Sequence, residues 1–245
     1  MNTDLPEGVQ RVGAFLAQRG HAHAPRMLDD AARTAQEAAD ALGVSLGQIA
    51  KSIVFKRLPD EVAVLVVTSG DQRVDEKRLA PRVCAAGQKL ARADAEFVKA
   101  RTGFSIGGVS PVAHATPVVQ VLDASLFRFD RVWAAAGHPH GVFPATPAEL
   151  AKLTGAQLAD VAQGEAGPES EARRSRALLA ARAAVVAAST EGEVPSPCSS
   201  VCCMSPASGL CEGCARSIDE IAGWSGMAPA ARRAVWGRIA QRLQT

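Results

Sequence analysis

The stretch GQIAKSIVFKRL, residues 47–58, decides how the first half of the chain reads. Counting by twos from Lys51 reaches Ile53 and Phe55, so in a strand these three side chains point to one face. An ammonium group beside two large apolar side chains has two readings. At a strand end its butyl stem lies on the core while the charge reaches water. In a pocket the same cation is aimed at a carbonyl or phosphate oxygen, and partial desolvation lowers its pKa.

Outward from this stretch, EVAVLVVT (61–68) is apolar on both faces and reads as a central strand. VVQVL (118–122), RVWAAA (131–136) and QLADVA (157–162) are further strand candidates. Capping boxes at Thr34-Ala-Gln-Glu37, Thr146-Pro-Ala-Glu149 and Ser217-Ile-Asp-Glu220 start helices, with Gly43 and Gly155 placed to end the first two. Amphipathic spacing of Val9, Val12, Phe15 and Leu16 predicts a helix over 7–19, and shorter helices fit 75–80 and 94–101. The expected class is α/β or α+β, a sheet with helices packed on it.

The chain has 245 residues, of which 47% are hydrophobic and 21% charged, as in an ordinary globular protein. A net charge of +2 falls short of the strongly basic profile of a nucleic-acid binder and leaves room only for a local phosphate contact. MNTDLPEGVQ has no basic stretch leading into an apolar one, and the apolar runs are broken before spanning length. The expectation is a cytoplasmic protein with no membrane partner. Composition shifts suggest a main domain (1–162), a partly helical linker (163–195) and a small cysteine domain (196–245).

Three stretches accompany Lys51 as sites of close backbone approach. They are TSGD (68–71) at a strand exit, the glycine-rich IGGVSP (106–111), and AAGHPHG (135–141) after another strand. His138 and His140 stand two apart and read as residues of a pocket edge or turn, and Cys84 as a buried structural thiol.

AADALGVSLGQIAKSIVF, VVTSGDQRVDEKRLA, the GGVSP loop and VWAAAGHPHGVFPATPAELAKLTG together resemble the YbaK/EbsC family. These are free-standing aminoacyl-tRNA deacylases related to the editing domain of bacterial prolyl-tRNA synthetases. The resemblance covers about residues 5–162. It implies a mixed, barrel-like curled sheet with surrounding helices, and trans-editing hydrolysis of the ester joining a wrong amino acid to the tRNA 3′ end. Aminoacyl-tRNA is then the partner, with prolyl-tRNA synthetase a second one, and the domain needs no cofactor. The family's K-[ST] pair falls on Lys51 and Ser52, its G-x-x-x-P loop on Gly107 to Pro111, and its late glycine on Gly137. Lys51 and Gly107 are the expected catalytic positions. Ser52, Thr68, Ser69, Gly70, Gly108, Ser110, Pro111, Gly137 and His138 are the expected substrate contacts. Some relatives carry a small hydroxyl residue where His138 stands, which leaves the edited amino acid open. The alternatives are a non-catalytic binder of tRNA ends and a metal-dependent redox regulator.

The tail concentrates Cys198, Cys202, Cys203, Cys211 and Cys214. Without Cys203 the spacing is C-x3-C-x8-C-x2-C, which can bring four thiolates to one centre and suits zinc or an iron–sulfur cluster, the x2 knuckle favouring zinc slightly. Cys198, Cys202, Cys211 and Cys214 are the expected ligands. PSPCSSVCCMSPASGLCEGCARSIDEIAGWSGMAPAARRAVW also resembles a small bacterial family of unknown function often described as an iron–sulfur protein. Arg232, Arg233, Arg238 and Arg242 make the last helix basic, which suggests either a solvated face or a contact with the tRNA backbone.

Overall fold

A computed structural model describes residues 5–28, 34–164, 168–189 and 192–244, with side chains from residue 171 in the third segment. Residues 165–167 and 190–191 of the segment read as a linker lie outside the described residues. The chain divides after Gln163 into two compact units.

The first unit is built on a hairpin. β2 (Ile49–Leu58) and β3 (Val62–Ser69) pair antiparallel from Ala50↔Ser69 to Arg57↔Val62. Six further strands extend this pair: β1 (Arg26–Met27), β4 (Lys89–Arg92), β5 (Val119–Asp123), β6 (Val132–Ala135), β7 (Gly141–Ala145) and β8 (Gln157–Ala159). The order is β1-β7-β6-β2-β3-β5-β8, with β4 attached to β2 off this path. β2–β6, β3–β5 and β5–β8 are parallel and the remaining pairs antiparallel, so the sheet is mixed, as expected. Among the described residues it does not close into a barrel, because its path ends at β1 on one side and β8 on the other.

The helices follow their caps. α1 is Glu7–Gln18, α2 Ala35–Leu42, α3 Glu76–Val83, α4 Ala95–Thr102 and α5 Pro147–Thr154. The capping boxes of Thr34 with Glu37 and of Thr146 with Glu149 are both formed. One sheet face is sealed by α3. Phe55, Val64, Val66 and Val121 pack there against Val74, Leu79 and Val83. Buried Asp123 ties β5 to the chain after β8, its carboxylate accepting from the Val161 and Ala162 amides at 2.7 and 2.9 Å. Burial pushes that carboxyl above the usual range.

The sheet also contains strands that the sequence pattern does not announce. β1 is two residues long, β4 reads KLAR, and β7 contains Pro144. Pro144 pairs with Trp133 of β6 and lies beyond the two residues that β1 covers, so its missing N–H breaks no ladder on that edge.

The second unit is helical. α6 (Pro168–Ala187) and α8 (Pro229–Gln244) build a core of Leu179, Ala183, Val186, Val194, Val235, Trp236 and Ile239, and α7 (Ile218–Ala222) joins α8 through Glu220. The segment read as a linker therefore supplies four of these seven core residues. The basic residues of α8 are engaged within the unit. Arg232 donates to the Trp224 and Ser225 carbonyls, and Arg233 to those of Ser189 and Gly192. Arg238 and Arg242 converge on buried Glu220 at 2.6 and 2.7 Å. Burial works against the Glu220 charge, but the Arg242 and Arg238 hydrogen bonds outweigh it and lower its pKa from 4.5 to about 2. Among the described residues no helix is long and apolar enough to cross a membrane.

Because the folded pKa of Glu220 is depressed, its stabilisation is present above the unfolded carboxyl pKa and lost as pH falls through about 2. Glu220→Gln is expected to cost about 2–3 kcal/mol near neutrality. Thermal unfolding of the intact chain should show the gap to wild type narrowing as pH is lowered from about 5 to about 2.

Candidate active site

A cavity of ≈ 430 Å³ opens beside β2. Residues 49–54 of β2 form one side, and α2 closes another with Thr34, Ala35 and Ala38. The remaining walls are apolar: Val98 of α4, Trp133 of β6, Val142 of β7, and Ile106, Val109 and Pro139 from two loops. Among the described residues the lining holds no carboxylate, imidazole or thiol.

Lys51 supplies the charge. Its face continues through Ile53, which packs against the α3 core, to Phe55, which belongs to it. From this face the amine turns to the end of β3. There Nζ donates to the Gly70 carbonyl at 3.2 Å and to the Gln72 carbonyl at 2.8 Å. Two of three N–H donors are thus directed by main-chain oxygens, and the third is not drawn to either. Burial pushes the amine below the usual lysine range, Asp71 opposing and Arg73 adding to the shift. Beside it, Ser52 Oγ and Thr68 Oγ1 are buried hydroxyls with no hydrogen-bond partner among the described residues.

The opposite wall is held by glycines. Gly107 has φ +90°, a left-handed conformation that side chains rarely adopt. A Cβ on Gly108 would stand 2.5 Å from the His138 carbonyl carbon and 2.7 Å from the Pro139 nitrogen. One on Gly137 would stand 2.6 Å from the Gly8 oxygen of α1. The two loops and the first helix therefore approach each other at distances only hydrogen permits.

Residues 29–153 match the family described as aminoacyl-tRNA editing domain. The chain belongs to that family. The uncharacterized protein YwhH of Bacillus subtilis (strain 168) is 36% identical over 121 residues, 49% of this chain and 74% of that protein. The crystal structure of a candidate trans-editing enzyme for prolyl tRNA synthetase is 42% identical, with a TM-score of 0.61 over 66% of this chain and all of that one. That of hypothetical protein APE2540 is 31% identical, with a TM-score of 0.57 over 62% of this chain and 99% of that one. Residues 196–243 match a second family, a protein of unknown function (DUF1289).

Within the editing domain, Lys51, Ser52 and Gly107 line the cavity together. The other positions singled out by the sequence stand behind it. Thr68 is the register partner of Lys51. Ser69 donates to the Gly47 carbonyl (2.5 Å) and accepts from Arg128 (2.8 Å), which binds the turn before β2 to the end of β3. Gly70 admits the Leu46 carbonyl, 2.3 Å from where a Cβ would stand, and its own oxygen holds Lys51. Ser110 is buried, its carbonyl 2.8 Å from His114 Nε2, and the Pro111 carbonyl accepts from Gln120 at 2.7 Å. Burial lowers the pKa of His114. Gly137 is the tight contact with α1. His138 Nδ1 accepts from the His140 amide at 3.2 Å, and burial followed by the His140 charge lowers its pKa. Sequence reasoning missed the walls: Ile49, Val98, Ile106, Trp133, Pro139 and Val142. Each is an ordinary apolar residue until strand register places it.

The cysteines of the second unit are neighbours. The Cys202 thiol is raised by the Cys198 charge first, then by burial, with Cys211 and Cys214 also acting on it. Cys211 and Cys214 are buried, whereas Cys198, Cys202 and Cys203 are exposed. Main-chain N–H groups of Cys214, Gly213 and Cys203 point at the Cys211 sulfur. Arg216, 3% exposed, donates to Cys214 Sγ at 3.3 Å. Such donors suit thiolates, so the donor set fits a soft metal centre. Among the described residues, however, no three His, Cys, Asp or Glu side chains are drawn into a metal-holding arrangement.

Gly108→Ala is expected to cost about 3 kcal/mol of stability, because the added methyl meets main chain on the neighbouring loop. Gly87→Ala meets nothing within 4 Å and should cost only the left-handed strain of about 1 kcal/mol. Thermal melts of the two variants separate steric from conformational need.

Proposed function

We propose that the protein deacylates mischarged aminoacyl-tRNA in trans, with Lys51 and the Gly107–Pro111 loop acting on the ester at the tRNA 3′ end. The observation that carries this reading is the Lys51 amine, steered by two carbonyls at the edge of an apolar cavity whose far wall is the Gly107 loop. An aminoacyl ester is already activated, so the enzyme must mainly place water and stabilise the developing oxyanion. Water oxygen adds to the carbonyl carbon, and the bond from that carbon to the ribose oxygen breaks. The ribose leaves with a proton. Lys51 stabilises negative charge on the carbonyl oxygen or terminal phosphate, and the glycine loop brings N–H groups near it. The resemblance to the editing family implies that the neighbouring ribose hydroxyl of the substrate assists the water, and the described lining fits this in holding no carboxylate, imidazole or thiol. The 42% identity to the candidate trans-editing enzyme supports tRNA charged by prolyl-tRNA synthetase as the substrate class.

We further propose that Cys198, Cys202, Cys211 and Cys214 hold zinc or an iron–sulfur cluster. The N–H groups around Cys211 and the Arg216 contact to Cys214 support this reading. A bound metal would staple the segment between Val201 and Arg216 to the helical core. Elemental analysis and the visible spectrum of the purified protein distinguish the two metals. Cys211→Ser should lose the metal, and a metal-free wild type would end the proposal.

Deacylation of tRNA charged with alanine, serine, threonine or cysteine tests the enzyme reading. Lys51→Met, which keeps the apolar stem, should lose about 100-fold in rate on the preferred species. Its melting temperature should change little. Unchanged hydrolysis by Lys51→Met would reduce the lysine to a support for the β3 turn.

A further inference from the structure

Side chains of a strand alternate between faces, so a cavity on one face is lined by every second residue. The cavity beside β2 is lined by residues 49, 50, 51, 52, 53 and 54 without a gap. It therefore lies level with the sheet, against the edge of the strand. The ladders say the same. β3 pairs with β2 from Ala50 to Arg57 on one edge. On the other edge β6 pairs with Ile49 and Ala50 only, and β4 with Phe55 to Leu58 only. Lys51, Ser52, Ile53 and Val54 have no ladder partner there among the described residues. The sheet forks at these four residues, and the cavity is the fork.

An antiparallel strand directs both N–H and C=O of one residue to the same side, and those of the next residue to the other. Alternate residues of the four are committed to β3. The other two aim an N–H and a C=O into the cavity, and a buried main-chain group requires a partner. An α-aminoacyl group presents the complementary pair, a carbonyl oxygen that accepts and an ammonium that donates, spaced as in one residue of a strand.

Resting on the deacylase reading above, we infer that the unpaired edge of β2 at Lys51–Val54 holds the aminoacyl group of the substrate as a single added strand residue. Main-chain bonds of this kind give affinity without regard to side chain, as in strand addition at a sheet edge. They fix the carbonyl beside Lys51. Selection among amino acids then falls to the apolar walls, Val98, Ile106, Trp133 and Val142, which meet whatever projects from the α-carbon.

The test uses the intact, isotope-labelled chain and a hydrolysis-resistant adenosine carrying alanine in amide linkage at its 3′ position. On binding, one amide within 51–54 should shift and exchange with solvent at least about tenfold more slowly. A propionyl analogue lacking the ammonium should bind about tenfold more weakly, having lost the donor to the β2 carbonyl. Binding with protection confined to Gly107 and Gly108, or equal affinity for the two analogues, overturns the inference and leaves the deacylase reading standing. Failure of both analogues to bind overturns the two together.

Discussion

The pairing of β2 with β3 is the constraint on which the editing domain is arranged. Its eight residue pairs are the longest ladder in the sheet, and along it β2 exchanges its other neighbour, β6, for β4. β3 is buried along seven of eight positions, so it accepts only apolar or small hydroxyl side chains. β2 is half-buried over most of its length because two different strands share its second edge. A register slip by one residue would turn Lys51 from its carbonyl partners and Phe55 out of the α3 core at once. Position and stability are thus set by the same contacts, and the lysine cannot be moved without disturbing a core.

Much of this was legible in the residues. The capping boxes, the 3.6-residue spacing of α1 and the apolar run of β3 each carry a local physical signal, and each marks an element found in the structure. The strands that escaped have no such signal. β1 and β4 exist because β7 and β2 offer an edge, and β7 carries a proline that argues against a strand until its exposed edge is known. The site divides the same way. Lys51, Ser52 and Gly107 are conspicuous by type, and they meet in the cavity. Its walls are single apolar residues from four elements and two loops, brought together only by pairing. Ser69 and Gly70, singled out as substrate contacts, join the turn before β2 to the end of β3.

In the second unit the basic residues of α8 already have partners within the unit. The arginines of α8 suggest a surface for a polyanion. Two are spent on loop carbonyls and two on one buried carboxylate, where desolvation makes the pairing worthwhile only with both cations present. This unit has a small apolar core, and hydrogen bonds from long side chains tie its loops to the helix. Trp236 does likewise, donating to the Pro195 carbonyl at 2.9 Å.

The glycine contacts among α1 and the two loops fix the layer behind the Gly107 side of the cavity. Gly8, Gly108 and Gly137 each stand where any side chain would meet main chain, so none can change unless its neighbour retreats. The lining residues Val142 and Val98 are held by packing and tolerate exchange of volume, whereas the Trp133 ring also carries the Arg26 guanidinium 4.4 Å from its centroid. Exchange of volume is therefore open on the sheet and helix side of the cavity and closed behind the Gly107 loop, so a designed library that varies Val98 and Val142 and leaves these glycines untouched searches the productive part of sequence space.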